Sequence, residues 1–268
     1  VIDRVLEVAE RRFGLRTVGG PRWVRDRVGS FVDAYVEGHG GSWVSVVERM
    51  TAERSSMNEL VASLRVGETR FLRDTAQWDA IVQHVCALVP ASVPINALSA
   101  GCSTGEEAYT FAILLAEKAR RFQILGCDRS FEAIAHAQAG KYTAEAVREV
   151  PPALVERYFE HEGAGLSVRG PLRAHVDFQV RDLVVRVPRG PFHVILFKNV
   201  LLYLAEPMGT HVAMRLAREL ADNGLLFSAA SEAVRLSSIL DPRRPGPGVI
   251  ARSPKSDAVS RSANVNVT

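Results

Sequence analysis

The stretch LSAGCSTGEEAYTFAILLAE, residues 98–117, carries the residue types that could do chemistry. An apolar run ends at a turn of small residues between Gly101 and Gly105, and the carboxylates of Glu106 and Glu107 follow directly. A glycine turn between a strand and a helix places unpaired backbone N–H groups and the positive helix end at the carboxyl edge of a parallel sheet. Ligands of such folds bind at this edge. The sequence therefore predicts a nucleotide-like ligand at this turn.

The two glutamates indicate which ligand suits the turn. The glycines are spaced G-x-x-x-G rather than in the dinucleotide fingerprint G-x-G-x-x-G, and carboxylates at the helix start would repel a phosphate. S-adenosylmethionine fits better, because it carries an ammonium and a sulfonium and no phosphate. Asp128 ends the next apolar run, where an acidic residue of such folds accepts hydrogen bonds from ribose hydroxyls. The alternative is that the glutamates only cap the helix and that Asp128 is a turn residue.

Alternating strands and helices must position these groups. Apolar runs typical of buried strands lie at 95–101, 122–128, 193–199 and from about 224. Helical patterns lie between and after them, at 105–120, 130–140 and 206–221. This order predicts an α/β domain built on a parallel sheet. Short alternating runs at about 164–188 predict a small antiparallel β lobe projecting from that sheet.

Two regions flank this domain. Helical spacing over residues 1–68 predicts an all-helical N-terminal domain, so the α/β domain would span 69–240. The segment 241–268 is rich in Pro, Ser, Arg and Asn, which predicts a flexible tail or linker.

Composition argues against several other classes. The chain has 268 residues, 47% hydrophobic and 24% charged, with a net charge of +3, which is too weak to propose nucleic-acid binding. Its three cysteines lack metal-ligand spacing, which argues against zinc and disulfides and favours a cytoplasmic protein. Apolar runs fall short of the ~20 residues that span a bilayer, and the first residues do not resemble a signal peptide. We expect neither export nor membrane insertion.

Five segments resemble, in order, the CheR-type chemoreceptor glutamate O-methyltransferases, over about residues 5–231. They are VGETRFLRD, SAGCSTGEEAYT, LGCDRSFEAIAHAQAGKY, FKNVLLYL and GLLFSAASE. The resemblance implies a Rossmann-like domain that transfers a methyl group from S-adenosylmethionine to glutamate carboxylates of chemoreceptors. The products would be glutamyl methyl esters, used in chemosensory adaptation, and S-adenosylhomocysteine. We expect a monomer whose partners are the cytoplasmic helices of methyl-accepting chemoreceptors.

The resemblance also implies roles for residues that match the family's motifs. Thr69 and Arg73 would close over the cofactor. Glu107 and Ile113 would contact it from the turn and its helix. Asp128 would hold the ribose.

The remaining implied cofactor residues come from the same turn and from later motifs. Gly101 belongs to the segment that resembles the family's methionine-binding turn. Asp182 and Leu183 would flank the adenine, Asn199 would lie beneath the methionine part, and Lys198 would lie beside it.

Three positions depart from the family pattern and could weaken cofactor binding. Gly67 stands where the family usually has Asn, and Asp182 replaces a common Asn, which adds a negative charge near the adenine. Lys198 replaces a usual Arg, so a point charge stands where the family has a planar fork. A non-catalytic module that docks on receptor or signalling proteins is therefore the alternative function.

Methylation of a glutamate needs alignment more than a base, because a carboxyl with a pKa of ~4.3 is ionised at neutral pH. Arg73 could pair with the incoming carboxylate, and Tyr203 could orient it or hold the methyl group in line. The alternatives are an interdomain salt bridge for Arg73 and a packed aromatic side chain for Tyr203. The "KNVLLYL" segment lacks the proline motif of nucleic-acid methyltransferases, and the turn lacks the fingerprint of an NAD oxidoreductase.

The helical domain could dock the receptor through its basic side chains. The candidates, each of which could instead belong to a solvated helix surface, are Arg11, Arg12, Arg16, Arg22, Arg25 and Arg27.

Overall fold

The computed structural model describes residues 2–16, 22–64, 69–232, 235–236 and 250–252. The predicted domain boundary at residue 68 therefore lies outside the described residues, as does Gly67. None of the described helices is both long and apolar enough to cross a bilayer.

Four helices make up the N-terminal region. They are α1 (Ile2–Phe13), α2 (Arg22–His39), α3 (Trp43–Ala52) and α4 (Arg54–Ser63). Apolar residues at helical spacing, such as Val5, Leu6 and Ala9 on α1, turn one face of each helix towards a shared core. Ser42 caps α3, since its hydroxyl accepts a hydrogen bond from the N–H of Ser45 at 3.2 Å. The predicted all-helical region is present in the described residues.

The second region is built on a six-stranded sheet with the order β6-β2-β1-β7-β8-β9. Its strands are β1 (Ile95–Ala100), β2 (Phe122–Asp128), β6 (Val176–Val180), β7 (Phe192–Leu196), β8 (Leu220–Phe227) and β9 (Ile250–Arg252). The first five in the sheet order run parallel, and β9 pairs antiparallel with β8. The predicted Rossmann-like α/β class is confirmed. The strand order reverses between β1 and β7, which is where ligands bind in such sheets.

Both faces of the sheet are covered, as the predicted apolar runs require. Successive residues alternate between the faces: Ala97 lies in the core on one side and Leu98 in the core on the other. The first core includes side chains of α5 (Thr75–Leu88), α6 (Glu106–Glu117) and α7 (Phe131–Ala139). The second includes side chains of α10 (Met208–Arg218).

A small antiparallel sheet is also present, but it does not span the predicted 164–188. Its strands are β3 (Lys141–Tyr142), β4 (Phe159–Glu162) and β5 (Gly165–Val168), with α8 (Pro152–Tyr158) leading into β4. Residues 176–180, which the sequence places in the lobe, instead form the edge strand β6 beside β2, after the short helix α9 (Gly170–Arg173). The reason is Gly126 on β2: a Cβ there would lie 2.5 Å from Phe178 Cδ1, so the missing side chain makes room for the Phe178 ring.

Two other boundaries differ from the sequence predictions. The last helix is shorter than 206–221, because Pro207 precedes its first turn and Leu220 already begins β8. Within the predicted tail, Ile250–Arg252 form a strand that pairs with Leu225–Phe227 of β8. The rest of the predicted tail lies outside the described residues.

The helical region meets the α/β region through the segment that follows α1. Leu15 and Leu204 form an antiparallel bridge. The N–H of Arg16 donates to the carbonyl of Tyr203 at 2.7 Å, and the N–H of Ala205 donates to the carbonyl of Gly14 at 2.7 Å. This pairing ties the N-terminal helices to the loop that carries Tyr203.

Candidate active site

A cavity of about 170 Å³ opens at the carboxyl edge of the parallel sheet, where β1, β2 and β7 end. Its wall includes eight residues that the sequence predicts as site residues: Thr69, Arg73, Gly101, Glu107, Asp128, Lys198, Asn199 and Tyr203. The parallel register brings these groups together, because Ser99 pairs with Gly126 on one side and with Leu196 on the other.

The turn after β1 requires its two glycines. Gly101 has φ +82° and Gly105 has φ +96°, backbone angles that residues other than glycine rarely adopt. A Cβ on Gly101 would lie 2.5 Å from Val200 Cγ2, so the turn packs directly against the loop after β7. The N–H groups of Gly101 and Cys102 both donate to the carbonyl of Cys127, at 2.8 and 2.9 Å, and hold the turn against the end of β2.

Asp128 is fixed at the end of β2 by two backbone donors. Its Oδ2 accepts a hydrogen bond from the N–H of Ser103, and its Oδ1 accepts one from the N–H of Ser130, both at 3.0 Å. A carboxylate has about four lone-pair sites, so each oxygen retains capacity for one more donor. This arrangement can receive the two hydroxyls of a ribose.

The neighbouring glutamates have different surroundings. Glu107 lies on the cavity wall, where Ser99 Oγ donates to its Oε1 at 2.7 Å. Glu106 is buried and accepts hydrogen bonds from the hydroxyls of Thr104, at 2.7 Å, and Thr69, at 3.1 Å. Burial raises the pKa of both carboxyls, and the charge of Lys198 opposes that rise in the pKa of Glu107. Glu107 therefore faces the cavity, whereas Glu106 ties down the segment that carries Thr69.

Two cations face these carboxylates. The Lys198 side chain is only 3% exposed, and its Nζ lies 3.9 Å from Asp74 Oδ2 and 4.8 Å from the centroid of the Trp78 ring. Arg73 lies on the same wall and interacts electrostatically with Glu107. Lys198 therefore pairs with Asp74 across the site.

Comparison with known proteins identifies the family. The family model described as the CheR methyltransferase SAM-binding domain matches residues 67–241. The chain belongs to the CheR methyltransferase family. It is therefore a methyltransferase that depends on S-adenosylmethionine, and the matched segment includes every residue of the cavity wall.

Named relatives of this CheR family member cover most of the chain. Chemotaxis protein methyltransferase 1 of Pseudomonas aeruginosa is 28% identical in an alignment of 227 residues that covers 78% of this chain and 82% of that protein. The chemotaxis protein methyltransferase of Escherichia coli is 29% identical over 206 residues, 72% of this chain and 65% of that protein. A solved structure of a TehB-like SAM-dependent methyltransferase from Corynebacterium glutamicum is 17% identical, with a TM-score of 0.36, covering 68% of this chain and 72% of that one.

The chemistry of the cavity suits the family's cofactor. Carboxylates at Glu107 and Asp128 match an ammonium and a ribose diol, and the ammonium of Lys198 matches the carboxylate of the methionine part. Among the described residues no group of three His, Cys, Asp or Glu side chains is placed to hold a metal ion.

Three predicted cofactor residues of this CheR protein lie off the cavity wall. Ile113 is 2% exposed and packs in the core beneath α6. Leu183 is buried in the core that includes α10. Asp182 caps a turn, since its Oδ1 accepts from the N–H of Val184 at 2.9 Å, and its Oδ2 lies 3.6 Å from Arg129 Nη2. The 181–183 segment is nevertheless adjacent to the site, because the N–H of Arg181 donates to the carbonyl of Asp128 at 2.8 Å.

One buried carboxylate near the site has no role predicted from the sequence. Glu232 is 4% exposed and accepts hydrogen bonds from the N–H of Asn199 at 2.9 Å, the N–H of Leu202 at 3.3 Å and Ser228 Oγ at 2.7 Å. It therefore holds the loop on which Asn199, with φ +58°, and Tyr203 lie. The only sequence signal was a charged residue after a strand, in the segment GLLFSAASE.

The cavity wall also includes side chains that the sequence did not single out. They are Arg70, Trp78, Cys102, Ser103 and Val200. Arg70 pairs with Glu149, with Nε 2.6 Å from Oε1. Burial raises the pKa of Cys102 well above its usual range, so its thiol is neutral.

The candidate docking arginines are exposed wherever their side chains are described. Arg25 pairs with Asp3 at 2.7 Å, and Arg12 Nη1 donates to the carbonyl of Thr51 at 2.8 Å. Arg11, Arg16 and Arg27 are also exposed. The side chain of Arg22 lies outside the description.

Proposed function

We propose that this CheR family member methylates glutamate side chains on the cytoplasmic helices of methyl-accepting chemoreceptors, in chemosensory adaptation. The observation that carries the proposal is a single cavity whose wall has Glu107 and Asp128 together with Arg73 and Tyr203. The first pair suits the cofactor and the second pair suits a carboxylate acceptor. The names of the relatives in Pseudomonas aeruginosa and Escherichia coli support the chemosensory setting.

The cofactor residues hold the charged parts of S-adenosylmethionine. Asp128 accepts hydrogen bonds from the ribose, Glu107 faces the ammonium, and Lys198 and Asn199 bind the methionine part from the β7 side. When bound, the cofactor supplies a methyl group on a sulfonium, which a carboxylate oxygen can attack. The buried surroundings of Glu107 and Lys198 strengthen these electrostatic contacts, because water screens them poorly there.

The acceptor residues align the incoming glutamate. A glutamate with an ordinary pKa of ~4.3 is already ionised at neutral pH, so no proton has to be removed. Arg73 closes over the cofactor and pairs with one edge of the acceptor carboxylate, and the Tyr203 hydroxyl orients that carboxylate. The remaining requirement is a dry site with fixed geometry, and positioning of this kind is worth several orders of magnitude in rate.

The helical region recognises the acidic receptor segment. Its exposed arginines, including Arg11 and Arg27, provide positive charge, and the pairing of residues 14–16 with residues 203–205 connects these helices to the loop of Tyr203. A receptor helix bound there would lie beside the loop that holds Tyr203. The setting is the cytoplasm, and the enzyme acts as a monomer.

The test is methyl transfer from S-adenosylmethionine, labelled in the methyl group, to membranes that carry methyl-accepting chemoreceptors. We expect label on receptor glutamates that mild alkali releases as methanol, as for a methyl ester. Arg73→Ala should lower the rate about 10²-fold, as expected when an aligning group is lost. Tyr203→Phe should also lower the rate. Tyr158→Phe is the control and should leave the rate unchanged, because Tyr158 lies off the cavity wall and its hydroxyl donates to Glu117, 2.6 Å away.

Two results would count against this function. Label that resists alkali would place the methyl group on another acceptor atom. Absence of transfer by a chain that binds S-adenosylhomocysteine would favour the docking module.

A further inference from the structure

The backbone around Arg73 is held in an unusual conformation. Leu72 has φ +56° and Asp74 has φ +60°, so both neighbours of Arg73 lie in the left-handed region, which residues other than glycine seldom adopt. Such residues persist only where the surrounding structure holds them, and they cluster at functional sites. The direction of the Arg73 side chain therefore depends on the contacts that hold this turn.

Side chains from two helices hold the turn. Thr110 of α6 accepts a hydrogen bond on its Oγ1 from the N–H of Leu72, at 3.1 Å. Trp78 of α5 donates from Nε1 to the carbonyl oxygen of Arg73, at 2.9 Å. Phe71 is fully buried in the core and anchors the start of the turn.

Trp78 also contacts the second cation of the site. Its ring is 3% exposed, lies on the cavity wall and stacks on Phe111 with centroids 6.0 Å apart. The Nζ of Lys198 lies 4.8 Å from the ring centroid, within the range of a cation–π interaction. One indole thus contacts the Arg73 backbone through its edge and the Lys198 ammonium through its face.

We propose that Trp78 is a positioning residue that fixes Arg73 and Lys198 relative to each other across the cofactor cavity. The indole N–H fixes the orientation of the Arg73 carbonyl, and the ring face fixes the position of the Lys198 ammonium. The role of Arg73 towards the acceptor rests on the proposed function. The contacts of Trp78 with Arg73 and Lys198 do not depend on it. Trp78 acts through these two groups and takes no part in the chemistry.

The test separates the contribution of the indole N–H of Trp78 from that of its aromatic ring. Trp78→Phe removes the hydrogen bond to Arg73 and keeps an aromatic face, whereas Trp78→Leu removes both. Trp43→Phe is the matched control, because Trp43 lies exposed on α3 in the helical region. Each variant is compared by hydrogen exchange of the amides of residues 70–74 without cofactor, and by titration calorimetry with S-adenosylhomocysteine.

We expect Trp78→Phe to speed exchange at residues 72 and 73 and to weaken S-adenosylhomocysteine binding about fivefold, the usual value of one hydrogen bond. Trp78→Leu should weaken binding further, and Trp43→Phe should change neither quantity. In an Arg73→Ala background, Trp78→Phe should add little, because the group that it positions is gone. The coupling between the two sites is the readout that a purely structural role would not produce.

Two results would overturn the proposal: unchanged exchange and binding in Trp78→Phe, or the same loss in the native and Arg73→Ala backgrounds. If Trp78→Phe does not fold, Thr110→Val tests the same turn through its other hydrogen bond and should give the same coupling to Arg73. Coupling in the binding assay without methyl transfer to receptors would leave this inference intact and refute the proposed acceptor.

Discussion

Replacement of Glu232 tests how the loop after β7 is held. In Glu232→Ala, the partly buried N–H groups of Asn199 and Leu202 lose their acceptor. A buried donor left without a partner costs about 1–3 kcal/mol, so two cost about 2–6 kcal/mol. Water that enters the space left by the side chain would bring the value to the lower half of this range. We therefore expect Glu232→Ala to reduce the free energy of unfolding by about 2–4 kcal/mol, a large share of the ~5–15 kcal/mol typical of a domain.

The same substitution should weaken cofactor binding, because Asn199 lies on the cavity wall and its left-handed backbone depends on Glu232. Urea unfolding measures the first effect, and titration calorimetry with S-adenosylhomocysteine, at a temperature where the variant is folded, measures the second. Glu232→Gln keeps one acceptor oxygen and should lose about half as much stability.

Glu219→Ala is the matched control. Its Oε2 accepts a hydrogen bond from the N–H of Gly190 at 2.8 Å. Glu219 directly precedes β8 and therefore lies at the amino edge of the parallel strands, opposite the cavity. We expect a loss of about 1 kcal/mol in stability and unchanged cofactor affinity. A Glu232→Ala protein as stable as the native chain and with native affinity would refute the role assigned to this carboxylate.

Three further outcomes concern residues in and around the site. Gly101→Ala should lower stability by about 1–3 kcal/mol in urea unfolding and weaken S-adenosylhomocysteine binding, because of φ +82° and the approach to Val200; native behaviour would contradict the packing of the turn. Burial raises the pKa of Glu106, so the native protein should lose stability as the pH rises from the unfolded pKa of ~4.3 through the raised native value. Glu106→Gln should lack this loss, so plots of the free energy of unfolding against pH should diverge between the two proteins from about pH 4 to 8. Parallel plots would contradict the raised pKa. Burial raises the pKa of Cys127 to about 12, so mass spectrometry after treatment with iodoacetamide at about pH 8 should find this thiol alkylated only in unfolded protein.

Local signals in the sequence predict much of the fold. The bounds of β2, Phe122–Asp128, coincide with its apolar run, and α7 begins after Ser130 and ends before Gly140 as its capping residues indicate. The prediction that Gly101 and Asp128 meet at one edge needed only the parallel order of strands, since the carboxyl ends of parallel strands share an edge. The prediction for Asn199 came from the family resemblance alone.

Features that depend on distant contacts could not be predicted in this way. The alternation of Val176 and Phe178 suits any half-buried strand, and its place beside β2 depends on the space above Gly126. Glu232 reaches a backbone amide 33 residues away, and Trp78 forms contacts with both Arg73 and Lys198 that no spacing reveals. The resemblance implies a cofactor contact for Ile113, and the structure packs its side chain into the core because α6 turns that face towards the sheet.

The most direct test of the site is titration calorimetry of S-adenosylhomocysteine with the native chain, Asp128→Ala and Asp182→Ala. Hydrogen bonds to a charged acceptor are worth about 1.5–3 kcal/mol each, so loss of the ribose contacts should cost Asp128→Ala at least about tenfold in affinity. Asp182 lies off the cavity wall, and its replacement should have a smaller effect. A folded Asp128→Ala protein with native affinity would contradict the placement of the cofactor in this cavity.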